Sequence, residues 1–205
     1  DKGVKEVLKT LILPLWNAYS FFITYANIDN VTVTKAPENP KNPLDRWILS
    51  AVESFIAEVT ENFDSYNIQK VNAAFLEFID TLNNWYVRRS RRRFWKSESD
   101  LDKEQAYQTL YTVLMKFIKV TAPVIPFTTE EIYRNLRTED MPESVHLCDY
   151  PVADRSLIDK ELENKMAVTR KAVSLGRALR SAHSIKTRQP LHAAYLVTRD
   201  QTEKI

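Results

Sequence analysis

Glycine is nearly absent from this chain: Gly3 and Gly176 are the only two among 205 residues. Nucleotide phosphates are commonly cradled by Gly-rich loops at helix N-termini. A nucleotide-binding catalytic domain is therefore excluded from this stretch. Cysteine occurs once, as Cys148, which rules out an internal disulfide framework and suits a reducing, cytoplasmic compartment. The three histidines, His146, His183 and His192, lack a Cys or carboxylate at ligand spacing, so no metal is expected. Net charge is only +2. The longest stretch to consider for a membrane is Thr10–Ile28, which carries no charge and is just long enough to span one. Pro14, Asn17, Ser20, Thr24 and Asn27 would each need a partner in lipid. The expectation is a helix buried on most sides by protein, with no membrane partner. The chain starts at Asp1 and no signal-peptide pattern follows, so it reads as a piece of a longer protein.

What is present is enough apolar residue, 44%, for one sizeable helical domain and part of a second. Val4, Val7, Leu8, Leu11, Leu15, Tyr19 and Phe22 keep helical spacing, with Pro14 expected to kink that helix or divide it. Trp16 and the phenylalanines read as core, while Asn17 needs a hydrogen-bond partner. Pro37, Pro40 and Pro43 mark a surface connection. Helices are then predicted over Leu44–Phe63, Asn67–Lys96 and around Ala106–Ile118, the last stopped at Thr121-Ala122-Pro123. A capping box, Thr128-Thr129-Glu130-Glu131, predicts a helix from Thr128 to about Arg137. Residues 138–153 read as irregular, with Ser144–Leu147 briefly extended. A last helix is predicted over Leu157–Ser184, and Ala193–Thr198 alternates like a strand.

The basic charge is concentrated in one place. Asn84-Trp85-Tyr86-Val87-Arg88-Arg89-Ser90-Arg91-Arg92-Arg93-Phe94-Trp95 holds five arginines within six residues, flanked by aromatics. At about 100° per residue, Val71, Phe75, Phe78, Leu82 and Tyr86 form one buried stripe. Arg89 and Arg93 continue it, so both are expected to lie partly covered and paired with carboxylates. Asn84, Arg88, Arg91 and Arg92 fall on the opposite face, and Trp85 on the border between stacking and core packing. Guanidinium forks grip phosphates, and indole or guanidinium planes stack on unpaired bases. A charge run is also a common form of solvated helix face. Here, however, five arginines repel one another with few acids nearby, Glu77 and Asp80, and a polyanion relieves that repulsion. A second basic set, Arg177, Arg180, His183, Lys186 and Arg188, suits either phosphate or the negative end of the last helix.

The twelve residues from Asn84 to Trp95 resemble the signature of the anticodon-binding domain of isoleucyl-tRNA synthetases, class Ia enzymes. Leu13–Phe22 and Leu44–Ser50 resemble the same family. Thr121-Ala122-Pro123 and Pro126–Tyr133 resemble the wider class. Ile185-Lys186-Thr187-Arg188-Gln189-Pro190-Leu191 resembles the isoleucyl-type junction, and with the arginine cluster speaks against valyl, leucyl or methionyl relatives. The resemblance implies an all-α helical bundle over 1–186, with a short β segment where a C-terminal junction subdomain begins at 187–205. It implies RNA contact by Asn84, Trp85, Arg88, Arg91, Arg92 and Asn17, with the tRNA(Ile) anticodon stem-loop as partner beside the catalytic and C-terminal domains of the same chain. In the parent enzyme, isoleucine is attached to tRNA with ATP, and zinc is an open question. The family's adenylation motifs, of the His-Ile-Gly-His and Lys-Met-Ser-Lys-Ser types, are absent from this stretch, which is expected to catalyse nothing and hold no cofactor. The rival reading is a helical protein-interaction module whose arginines hold an acidic partner.

Overall fold

A computed structural model describes residues 2–33, 35–96 and 100–197. Among the described residues all regular structure is helical. Helix α1, Lys2–Asp29, contains a π-helical segment, Leu8–Ile12, just ahead of Pro14. A proline inside a helix lacks its N–H and crowds the carbonyl four residues back. The wider π turn, in which the Leu13 N–H donates to the Leu8 carbonyl, relieves that crowding. The helix therefore continues across Pro14 and is not divided.

Helix α2, Pro43–Asp64, starts with proline at its first position, where a missing N–H costs nothing, and Asn42 accepts from the Leu44 N–H at 3.0 Å. Helix α3 is one run of three parts: Ile68–Asp80, the π-helical Thr81–Val87, and Arg88–Phe94. Helix α4 covers Leu101–Thr121, and Asp100 caps it by accepting from the Lys103 N–H. Helix α5 is Pro126–Leu136 and α6 is Lys160–Ala182.

The core forms where α2, α3 and α4 meet. Phe55, Phe78 and Phe117 stack with centroids 4.6–5.5 Å apart, and Phe75 adds a tilted contact. Such aromatic pairs add about 0.5–1.5 kcal/mol each beyond burial. Helix α1 lays one face on this core through Leu11, Leu15, Ala18, Tyr19, Phe22 and Ala26. The segment after α5 is tied down by two carboxylates. Glu130 accepts from the Ser144 hydroxyl and Val145 N–H, and buried Glu53 accepts from the Asp154 N–H while pairing with Lys116.

Several expectations are corrected. Helix α1 is long and apolar enough to cross a membrane, but only 28% of its most apolar stretch is buried in the protein, so one face is covered and not most sides. Trp16 is 40% exposed and sits edge-on to Tyr19 instead of entering the core. Helix α5 begins at Pro126, not Thr128. Proline suits the first turn, and starting there makes Ile125 the cap residue and puts Thr128 inside the helix, so no capping box forms. Ser144 caps a 3₁₀ turn, Val145–Leu147, where an extended segment was expected. Residues 193–197 form no strand, because no neighbouring strand among the described residues supplies a ladder partner. Thr198 lies outside the described residues.

The chain divides into two compact units, Asp1–Ile158 and Asp159–Ile205. In the second, α6 has no buried residue, and Leu175 and Leu179 are exposed. Arg180 donates to the Lys186 and Gln189 carbonyls at 2.9 and 2.8 Å, folding the segment after α6 back on the helix end.

Candidate nucleic-acid interface

The π turn in α3 decides which arginines face outward. Its N–H groups reach carbonyls five residues back, as Arg88 does to Asn83. In a straight α-helix each four-residue step advances about 40°, so Leu82, Tyr86, Ser90 and Phe94 would drift about 120° off one line. The π turn removes most of that drift, and all four are buried. The rotation carries Arg93 to the edge of the core and swings Arg89 out of it.

Arg93 is 7% exposed and takes the place expected for it. Its guanidinium donates to both carboxylate oxygens of the fully buried Asp45, at 2.7 and 2.6 Å, and pairs with Asp102 at 2.9 Å. Burial opposes the Arg93 charge, but the hydrogen bond and charge of Asp45 outweigh it and raise its pKa further. Tyr86 donates to Asp45 at 2.7 Å, and burial together with the Asp45 charge holds that phenol well above its ordinary pKa. Arg89 corrects the expectation. It is exposed, no carboxylate among the described residues pairs with it, and its Cζ lies 4.4 Å from the Trp85 ring centroid. Trp85 is half-buried beneath it.

Between α1 and α3 runs a groove of about 790 Å³. Its α1 wall presents Pro14, Asn17, Ser20, Phe21, Thr24 and Tyr25, and its α3 wall presents Asn83, Asn84, Arg88 and Arg91. Asn83 joins the walls, because its amide donates at 3.1 Å to both the Pro14 carbonyl on α1 and the Ile79 carbonyl on α3. Asn84 donates to Asp80 at 2.6 Å, which fixes its side chain at the rim. At one end Trp95 donates to the Tyr25 hydroxyl at 2.7 Å, and Phe21 packs on Phe94 at 5.0 Å.

Four of the six predicted contact residues thus converge here: Asn17, Asn84, Arg88 and Arg91. Asn17 is exposed in the groove, so it needs no partner inside the bundle. Arg92 and Trp85 lie outside the lining, on the neighbouring face of α3. The sequence did not point to Pro14, Ser20, Phe21, Thr24, Tyr25 and Asn83 as part of this lining. A signal existed for two of them, Ser20 and Thr24. Asn17, Ser20 and Thr24 recur at three- and four-residue steps, the spacing of one polar helix face. Of the five clustered arginines, only Arg93 forms an ion pair among the described residues. The groove therefore offers two uncompensated guanidinium groups, amides and hydroxyls, and aromatic surface. That combination suits an unpaired, phosphate-bearing strand.

Residues 45–195 match the family described as the anticodon-binding domain of tRNA ligase. The chain is 52% identical to an isoleucine–tRNA ligase of Treponema denticola over 220 aligned positions, covering all of this chain and 20% of that protein. It is 46% identical to that of Treponema pallidum and 47% identical to that of Chlamydia muridarum, covering 100% and 96% of this chain. The chain thus spans about a fifth of the length of these relatives.

Proposed function

The chain belongs to the family of anticodon-binding domains of tRNA ligases, and from that premise we propose that it binds the anticodon stem-loop of tRNA(Ile) within an isoleucine–tRNA ligase. The observation that carries this reading is the groove between α1 and α3, where Arg88 and Arg91 stand opposite the polar and aromatic side chains of α1. Arginine forks take the phosphates of the loop, while amides and rings meet its unpaired bases. The acidic-partner reading explains the arginines but not the aromatic and amide-lined wall opposite them.

In this proposal the whole enzyme charges tRNA(Ile) with isoleucine using ATP, in the cytoplasm, and the present stretch contributes recognition only. The helical part, 1–186, does the binding, and 187–205 leads into a junction subdomain. The residues here do not fit a nucleotide or a metal. The two glycines offer no phosphate loop, and among the described residues no three His, Cys, Asp or Glu gather. ATP and any zinc are left to the catalytic and C-terminal domains of the same chain.

The test is a titration of the protein with the tRNA(Ile) anticodon stem-loop at two salt concentrations. Wild type is compared with an Asn84/Arg88/Arg91→Ala variant, and unfolding midpoints are recorded for both. The variant is expected to stay folded and lose binding. Its salt slope should fall by about 0.7 for each lost phosphate contact to a single strand. Equal binding by the folded variant, or equal binding of an unrelated hairpin, would falsify the reading.

A further inference from the structure

From within the π turn onward, α3 carries two rows of side chains at successive steps of four and three residues. Asn84, Arg88 and Arg91 line the groove. Trp85, Arg89 and Arg92 follow one residue later, about 100° around the axis. The second row has a built feature that the first lacks. Arg89 lies over the half-buried Trp85 ring at 4.4 Å, and its guanidinium is otherwise exposed. A guanidinium over an indole is favoured by about 0.5–1 kcal/mol at an exposed site, which lowers the rotamer freedom still to be lost on association. It presents a flat cation to solvent, and such a plane stacks on a nucleobase. Arg92, one turn further on and exposed, supplies a charge beside that plane.

We propose that the Arg89 guanidinium, shelved on Trp85, stacks on one unpaired base of the RNA loop bound at the groove, with Arg92 contacting the adjoining phosphate. This rests on the function proposed above and adds a base contact on a different face of α3. A planar contact and a charge contact are separable chemically. Lysine keeps the charge of arginine but has no plane to offer a base.

Binding of the protein to the anticodon stem-loop is measured for Arg89→Ala, Arg89→Lys and Trp85→Ala, beside the groove variant, with unfolding midpoints for each. Each protein is offered the intact loop and loops carrying one abasic nucleotide at each unpaired position in turn. All three substitutions are expected to weaken binding about 5- to 150-fold, the range for losing one stacked base. Arg89→Lys is expected to keep the wild-type salt slope. One abasic position that weakens wild-type binding is expected to cost nothing more in Arg89→Ala. If Arg89→Lys binds like wild type, or the abasic penalties in Arg89→Ala all match those of wild type, the stack is refuted. When the groove variant loses binding in the same series, that refutation leaves the proposed function standing. When the folded groove variant keeps its binding, the proposed function itself has failed.

Discussion

Asp45 shows how much of α3 depends on one buried side chain that lies outside the groove lining. It is fully buried and accepts from both guanidinium amines of Arg93 and from Tyr86. A buried ion pair adds little over an apolar pair of the same size, but removing one partner strands a charge. Asp45→Ala is therefore expected to lower stability by about 3–5 kcal/mol in urea denaturation, and Asp45/Arg93→Ala/Met by less than the single change. Equal losses in the two variants would show that the pair is not coupled. The need for such a carboxylate was legible from the position of Arg93 on the inner stripe. Its identity was not, because Asp45 lies 48 residues earlier, and only the packing of α2 on α3 brings the two together.

The π turn of α3 is the device that turns a basic helix into a two-faced one. Helical spacing read from Val71 to Leu82 extends correctly to Tyr86 and then fails by about one residue. Arg89, expected inside, is outside, while Ser90 and Phe94 are buried. Nothing local distinguishes a π turn from an α turn, since both keep the same alternation of apolar residues over one or two turns. What holds it beside α1 is Asn83, with its two carbonyl acceptors on two helices. Asn83→Ala removes no charge, so it is expected to weaken stem-loop binding without changing the salt slope. Stability should fall by about 1–2 kcal/mol, the net worth of one or two hydrogen bonds. A changed slope with unchanged stability would mean that Asn83 meets RNA directly and does not position the walls.

Across the first unit, the groove exists because α1 is held against α4 on its far side. Asp29, at the C-terminal end of α1, pairs with the buried Lys103 at 2.7 Å and accepts from Tyr107. Partial burial pushes the Asp29 carboxyl up, but the hydrogen bonds from Lys103 and Tyr107 and the Lys103 charge bring it below its ordinary value. A carboxylate depressed by folding contributes stability that is present above its unfolded pKa and lost as pH falls through the folded one. Between neutral pH and about pH 5, wild type is thus expected to be more stable than Asp29→Asn. The gap should close below about pH 4, the ordinary carboxylate range. A gap independent of pH would assign the tether to packing and not to charge.

Local chemistry made much of this molecule readable in the residues alone. The onset of α2 within one residue of Leu44, the stop at Thr121-Ala122-Pro123, the apolar spacing of α2 and α4 and the arginine cluster all act within a few positions of chain. Asn84, Arg88 and Arg91 were legible as an outward face for the same reason, since three- and four-residue steps are a local property of a helix. Everything that required two elements to meet waited for the fold. The Asp45–Arg93 pair, the Asn83 clasp, the α1 wall with Tyr25 and the exposure of Trp16 are set by how α1 and α2 pack on α3. The absent strand at 193–197 belongs with them, because extended backbone becomes a sheet only when a neighbour accepts its hydrogen bonds. The groove is the clearest case. Each wall is an ordinary helix face, and the site comes from their apposition.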